Sequence, residues 1–408
     1  MARNVHICIV THNIVKGDGQ GRVNYEIVAE GLRRNHRLTL IATRVAAEFE
    51  SHPLVEWIPI GVDRWPTQLV RNQVFAAKSS WKLWLRRKQF DLVIMNGFIN
   101  WLGCDINNIH FVHSSWLKSP VHPSRLNNSI SGWYQYLFTW LNARLEKQAF
   151  SKADILVPVS RKVQQELEAI GCPPSKIKVI ANGVDLDEYN PIIYPWTPDR
   201  AELGLPEQVP LALFAGDIKT TRKNLDTVLK ALTHVGDLHL AVAGDTTDSP
   251  FPAMAHRMGI GERVHFLGYR RDLAEIMKRV DFFVFPTRFE ACSLVVLEAM
   301  AAGLPVITTY ESGSSELIDI GDPERKAGFV MEHPDDLPGL VNAMTVLTRE
   351  AGVRLAMGEA ARRNVTERSW KTITSAYMAL YEETAERKAG KRTGERHHDG
   401  IGLAERRS

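Results

Sequence analysis

The sequence is poor in several features that often betray a role, and each absence narrows the field. Its four cysteines, Cys8, Cys104, Cys172 and Cys292, lie far apart with no paired metal or redox spacing. That argues against a disulfide-stapled secreted domain and fits a reduced, cytosolic protein. Long apolar runs are also missing: none approaches the ~18 residues that would cross a bilayer. The apolar opening from Val5 to Val10 is too short and too interrupted for a secretory leader and reads as a first strand. Charge of one sign is lacking as well. Fifty Lys and Arg face 47 Asp and Glu, a net +3, so the average surface gives no case for nucleic acid. The first glycine-rich stretch, Lys16 to Arg22, lacks the full G-x-G-x-x-G spacing of a dinucleotide-dependent dehydrogenase.

What is present is alternation. The chain has 408 residues, which suits two domains of roughly 190 each. Val5 to Val10, a glycine-rich turn, helical spacing from Val23 to Arg34 and Arg37 to Ala42 make a β-loop-α-β unit, the start of a doubly wound sheet. Phe90 to Met95, Ile109 to His113 and Ile155 to Pro158 read as further strands, and Arg161 to Ile170 as a helix. Three prolines between Asn190 and Pro198 mark a linker. Beyond it the pattern restarts, with strands at Pro210 to Ala215, His239 to Ala243, Val264 to Leu267, Asp281 to Phe285 and Pro305 to Thr309. The expected division is an N-terminal domain over 1–189, a linker over 190–198 and a C-terminal domain over 199–368. An amphipathic helix from Thr366 to Thr384 follows, assigned to 369–386, and then a polar tail over 387–408 expected to be disordered. His397 and His398 in that tail read as composition rather than a metal site.

Chemistry is most legible between Val280 and Thr309. Two carboxylates, Glu290 and Glu298, sit inside an otherwise apolar strand-loop-helix-strand unit, with the helix starting near Ser293. A helix apolar nearly all round is buried against a sheet, so Glu298 needs a partner, and a ligand hydroxyl would serve. A solvent-facing helix edge is the plain alternative. Glu290 precedes the helix, whose free N–H groups and dipole favour an anion such as a diphosphate. Eight helical residues span about 12 Å, close to the separation of the two sugars in a nucleotide-sugar.

This E-x7-E segment resembles that of the retaining glycosyltransferases of family four, which have the two-domain GT-B fold. Other stretches match in the same order: S-K-A-D-I-L-V-P-V-S-R-K-V from Ser151, G-C-P-P-S-K-I-K-V-I-A-N-G-V-D from Gly171, F-A-G-D-I-K-T-T-R-K-N-L-D from Phe214 and V-H-F-L-G-Y from Val264. The resemblance covers roughly residues 5 to 385. It implies two Rossmann-like doubly wound domains facing across a cleft, with the C-terminal helix crossing back onto the N-terminal domain.

The resemblance also implies roles. The glycine loop, with Gly19 and Gly21, approaches the donor phosphate or transferred sugar, although a tight βα turn would explain the glycines alone. His113 lies near the transferred sugar. Lys223 supplies charge to the departing diphosphate, with Gly216 at the end of the preceding strand. Glu290 holds a hydroxyl of the transferred sugar, Glu298 holds ribose hydroxyls, and Cys292, Ser293 and Leu294 border the donor at the helix start. Gly313 to Glu316 closes the donor pocket and Val264 to Tyr269 flanks the nucleobase. Two departures stand out. Asp217 occupies the place where relatives carry arginine after the glycine, leaving Lys219 or Arg222 as replacement cations. Ala291-Cys292-Ser293 replaces glycine, aromatic, glycine. Cys292 as a nucleophile lacks a neighbouring histidine base, and Asp185-Leu186-Asp187 is a D-x-D pattern belonging to another fold, here in a turn.

The expected activity is retaining, metal-independent transfer of a sugar from a nucleotide-diphosphate donor to a saccharide or lipid-linked saccharide, without cofactor or nucleic acid. Trp81, Trp84 and their basic neighbours between Ser79 and Phe90 add an expected peripheral contact with the inner face of a membrane. The aromatic stretch Ser131 to Leu141 is a candidate acceptor wall. The rival readings are a catalytically silent GT-B partner subunit and a sugar-nucleotide epimerase or phosphorylase of similar fold.

Overall fold

The computed structural model describes residues 4–126, 129–191 and 200–404, with side chains up to 390. Six parallel strands form the first sheet: β1 His6–Val10, β2 Arg37–Ala42, β3 Val55–Pro59, β4 Leu92–Asn96, β5 Ile106–Ile109 and β6 Ile155–Pro158. Six more form the second: β7 Leu211–Ala215, β8 His239–Ala243, β9 Val264–Gly268, β10 Phe282–Val284, β11 Val306–Thr309 and β12 Gly328–Met331. The spatial orders are β3-β2-β1-β4-β5-β6 and β9-β8-β7-β10-β11-β12. In each sheet the order reverses beside its first strand, the switch point at which open α/β sheets take ligands. The chain folds as GT-B.

The helices that shape the site are α1 Gly19–Arg33, α2 Gln68–Arg86, α3 His113–Lys118, α4 Ile130–Lys152, α5 Arg161–Ala169, α6 Leu294–Ala301 and α7 Trp370–Ala404. Central strands such as Leu-Val-Ile-Met-Asn and Leu-Ala-Leu-Phe-Ala are buried throughout, as strands covered by helices on both faces must be. The first sheet carries two apolar layers. One includes Ile7, Ile9 and Ile94 together with Trp370, Ile373, Tyr377 and Tyr381 of α7. The other gathers Cys8, Val10, Phe75 of α2 and Phe150 of α4. The last helix thus completes the core of the first domain. The chain crosses between domains twice, and the crossings hold each other: Val184 N–H donates to the Arg368 carbonyl at 2.8 Å, and Trp370 N–H returns to Val184 at 3.2 Å. Gly183 is obligatory there, since a Cβ would lie 2.7 Å from the Trp370 ring.

Several expectations change. The strand placed at Ile109 to His113 runs from Ile106 to Ile109, and His113 opens α3 instead. Lys223 ends a 3₁₀ turn, and Asn224 takes a positive φ of 68° before the helix that starts at Leu225. The C-terminal helix does not stop at 386: it continues to Ala404. Lys388 anchors the extension, bonding the Asp91 carbonyl at 2.8 Å and the Asp105 carboxylate at 2.7 Å. The linker expected over 190–198 falls mostly outside the described residues.

Candidate active site

Residues that follow strands in one domain meet residues that follow strands in the other, so the carboxyl edges of the two sheets face each other. Phe111 and Trp116, after β5, contact Phe289, after β10, with ring centroids 5.3 and 5.1 Å apart. Gly17, after β1, has φ +89°, and a Cβ there would be 3.9 Å from the Tyr269 hydroxyl beyond β9.

On the C-terminal side, β7 delivers Gly216 at φ +150°, close against Phe285. Asp217 then folds back on its own loop, accepting the Lys219 N–H at 2.9 Å and the Thr220 hydroxyl at 3.4 Å. Lys219 is spent on Asp245 at 2.6 Å. Lys223, by contrast, is largely buried, lies 5.2 Å from the centre of the Phe285 ring, and makes a short ion pair with Glu290. Burial would lift the Glu290 carboxyl, but the charges of Lys223 and Arg222 outweigh it and hold it below the ordinary range. The loop is braced by Arg288, whose buried guanidinium bonds Asp226 twice at 2.8 Å, Asp335 at 2.6 Å and the Thr221 carbonyl at 2.7 Å.

Glu290 is pinned on both sides, its N–H on the Glu311 carbonyl at 2.9 Å and its carbonyl under the Gly313 N–H at 3.1 Å. The next two carbonyls are held by the first domain. Ser160, which caps α5, donates its hydroxyl to Ala291 at 2.7 Å, and the Asn182 amide donates to Cys292 at 3.0 Å. Gly313 permits this approach, since a Cβ would sit 1.8 Å from the Ala291 oxygen. Ser293 N–H bonds the Ser314 hydroxyl at 2.9 Å. The N–H groups of Leu294, Val295 and Val296 have no acceptor among the described residues, which is the anion-receptive end of α6. Cys292 turns its sulfur to the Ser314 hydroxyl at 3.8 Å, and burial pushes its thiol up to about 11. A nucleophilic cysteine needs the opposite shift.

Glu298 lies on α6 under the Tyr189 hydroxyl, which hydrogen-bonds it. Burial, with Glu188 adding and Arg22 opposing, raises its carboxyl to about 7. A carboxyl whose charge burial disfavours to this degree is a candidate ligand-binding group. Arg22 ties the first domain to its returning helix: it pairs with Glu26 at 2.7 Å and Asp185 at 3.5 Å and lies 5.8 Å from the Trp370 ring centre. Of the loop glycines, a Cβ on Gly19 would meet nothing within 4 Å, whereas Gly21 packs on the Asp18 carboxylate and the Val15 carbonyl. Asp185 of the D-x-D pattern caps its own turn, accepting from the Asp187 and Glu188 N–H groups.

His113 faces this wall from the N-terminal domain. Glu146, buried on α4, accepts both its backbone N–H at 2.9 Å and its Nδ1 at 2.6 Å. Nδ1–H is therefore committed to the carboxylate and Nε2 is left as the outward acceptor. Sequence reasoning missed Glu146, Ser160, Asn182 and Arg288. Each works on a partner 33 to 131 residues away along the chain, and nothing in local spacing marks them.

Two similarly built domains with switch-point edges opposed across a cleft, a lysine–glutamate pair and a receptive helix end make a candidate glycosyltransferase site. The family comparisons agree: a model described as Glycosyltransferase Family 4 matches residues 17–188, and one described as Glycosyl transferases group 1 matches residues 209–350. The chain belongs to glycosyltransferase family four. It is 28% identical over 306 residues to the D-inositol 3-phosphate glycosyltransferase of Corynebacterium jeikeium, covering 71% of this chain and 70% of that one. Among solved structures it is similar to WaaG, a glycosyltransferase involved in lipopolysaccharide biosynthesis (TM-score 0.74, 21% identity, 92% of this chain and 99% of that one). It is also similar to Anabaena Alr3699/HepE in complex with UDP and glucose (TM-score 0.67, 19% identity, 92% and 99% covered).

Proposed function

We propose that this glycosyltransferase moves a sugar from a nucleoside-diphosphate donor to a hydroxyl of a saccharide or lipid-linked saccharide, with retention at the anomeric carbon and without a metal ion. The observation that carries the reading is the Lys223–Glu290 pair set beside the unaccepted N–H groups that open α6. Donor binding exchanges the pair for ligand contacts: Lys223 and the helix end take the diphosphate, and Glu290 takes a hydroxyl of the transferred sugar. Glu298 takes the ribose hydroxyls, which add donors to the one Tyr189 supplies. As the anomeric C–O bond breaks, its electron pair passes to the diphosphate, so these cationic and N–H contacts strengthen towards the transition state. His113, oriented by Glu146, presents Nε2 on the acceptor side with Gly19. The division into domains over 1–189 and 199–368, with 369–386 returning to the first, belongs to the same proposal.

The acceptor is placed in envelope polysaccharide or glycoconjugate synthesis, at a cytoplasmic membrane face. The test is a panel of UDP-, GDP- and ADP-sugars, starting from UDP-glucose, with the anomeric configuration of the product read by NMR and the reaction repeated in EDTA. Retention with unchanged turnover in EDTA is expected. An inverted product, or loss of activity restored by a divalent ion, overturns the mechanism.

A further inference from the structure

The outer face of the N-terminal domain carries an unusual surface. Between Arg64 and Leu145 the chain has ten Lys and Arg but only two acids, Asp91 and Asp105. Acids meet two of these cations: Arg87 pairs with the buried Asp105 at 3.5 Å, which Lys388 also holds, and Arg86 pairs with Glu56. The ten cations still outnumber the acids of the stretch. Eleven of the sixteen large apolar side chains exposed among the described residues fall within the same stretch. On α2, Trp81 and Trp84 are 60% and 62% exposed, with Lys78, Lys82 and Lys88 around them. On α4, Ile130, Trp133, Leu137 and Trp140 recur at helical spacing along one exposed stripe that Arg144 continues, with Ile130 91% and Trp133 70% exposed.

The two helices form one face. Both pack on the same layer of the first sheet, through Phe75 and Leu83 of α2 and Phe150 of α4. The Tyr134 hydroxyl of α4 accepts the Leu69 N–H of α2 at 3.2 Å. Further along, Trp101 N–H bonds Ser80 at 3.0 Å and its carbonyl takes Lys152 at 3.0 Å, bridging the helices with a third exposed tryptophan. The face also reaches the cleft. Phe138 lies 6.1 Å from the His113 ring, and Glu146, which orients His113, is on the same helix.

We infer that α2 and α4 together form a docking surface for an anionic bilayer, which lays the membrane beside the acceptor side of the cleft. Tryptophans that expose an apolar body, aliphatic side chains between them and a surround in which cations outnumber acids fit the interfacial region of a negatively charged leaflet. A second copy of the chain fits poorly, because a two-fold contact would set these cations against themselves. Nucleic acid would use the tryptophans and cations but gains nothing from Ile130, Leu137 and Leu85, which cannot stack on bases. The inference rests on the lipid-linked acceptor reading only for its purpose; the binding itself is measured without donor or acceptor.

The full chain is sedimented with phosphatidylcholine vesicles and with equal-part phosphatidylcholine and phosphatidylglycerol vesicles. Binding to the anionic vesicles alone, weakened by salt, is expected. The double variant Trp81→Ser/Trp84→Ser and, separately, Trp133→Ser/Leu137→Ser should each lower partitioning about tenfold or more with an unchanged melting temperature. Lys82→Glu/Lys88→Glu should lower it about tenfold on anionic vesicles. Equal binding to both vesicle types, variants that bind like the parent, concentration-dependent self-association that the variants abolish, or capture of a single-stranded oligonucleotide in place of vesicles would each overturn the inference. Vesicle binding in a protein that transfers no sugar would instead count against the function proposed above and leave the docking surface standing.

Discussion

Replacing Lys223 by alanine should harm folding and catalysis through one residue. Its side chain is 12% exposed and that of its partner Glu290 16%, so the substitution strands a mostly buried carboxylate with only the charge of Arg222 nearby. Breaking a buried pair from one side costs about 3–5 kcal/mol. The carboxyl has an escape, however: it can take a proton. From an ordinary value of 4.5, neutralisation at pH 7 costs about 3.4 kcal/mol at about 1.4 kcal/mol per unit, and partial exposure lowers the figure further. A loss of about 2–3 kcal/mol is expected, read as a fall of about 4–12 °C in the melting of the second domain. Turnover should fall by about 100- to 1,000-fold, the usual result of deleting a charge donor to a transition-state anion. Adding Glu290→Gln removes the stranded charge, so the double variant should regain stability without regaining turnover. The folded Glu290 value is depressed, so the contribution of the pair is present above the unfolded value and is lost as pH falls through the folded one. The stability gap between parent and Lys223→Ala should therefore narrow below about pH 4.5. A Lys223→Ala protein that melts within 1 °C of the parent and keeps turnover within about threefold would refute the reasoning.

Glu298→Gln should stabilise the ligand-free protein. Its carboxyl is raised to about 7, so the folded state holds the proton more tightly than the unfolded one and stability declines as pH climbs from the unfolded value through the folded one. The gain, of order 2 kcal/mol by calorimetry, should appear at pH 8 and vanish near pH 4, while donor affinity drops. A gain independent of pH would show that charge is not its source. Ser160→Ala removes the cap of α5 and releases the Ala291 carbonyl together. Stability should fall by about 1 kcal/mol, while calorimetric binding of UDP-glucose weakens more than binding of UDP, since the loosened segment borders the transferred sugar. Equal weakening of both would assign Ser160 to the helix cap alone.

Much of the fold is legible because parallel strands covered on both faces must be continuous apolar runs. Arg37 to Ala42, Ile155 to Pro158 and His239 to Ala243 coincide with strands of the structure. The two edge strands that escape, Val55–Pro59 and Gly328–Met331, are paired on one side only, and the first carries Glu56 and a terminal proline. Ile106–Ile109 is displaced in the reading because Asn107 and Asn108 interrupt the apolar pattern. Inside, the Asn107 side chain is satisfied by the Gly97 backbone, and the Asn108 amide N–H donates to the Tyr381 hydroxyl while its Oδ1 has no partner among the described residues. At the site, Glu290 and Glu298 announce themselves as carboxylates in an otherwise apolar unit, whereas Lys223, in a polar stretch, is picked out only by the family resemblance of Phe214 to Asp226. That the first and last bond each other across 67 residues is a property of the sheet order, which brings the ends of β7 and β10 side by side and has no trace in local spacing.

The helix that ends the chain fills one face of the sheet that begins it. During synthesis the first domain therefore cannot close its apolar layer when its own strands have emerged. Helix α1 supplies part of the cover through Val23, Ile27 and Val28, but the rest waits until residues 370–385 leave the ribosome behind the whole second domain. Maturation of the amino-terminal half is thus tied to the emergence of residues 370–385, and a product cut short before them should be recognisable by that greasy, partly unroofed surface.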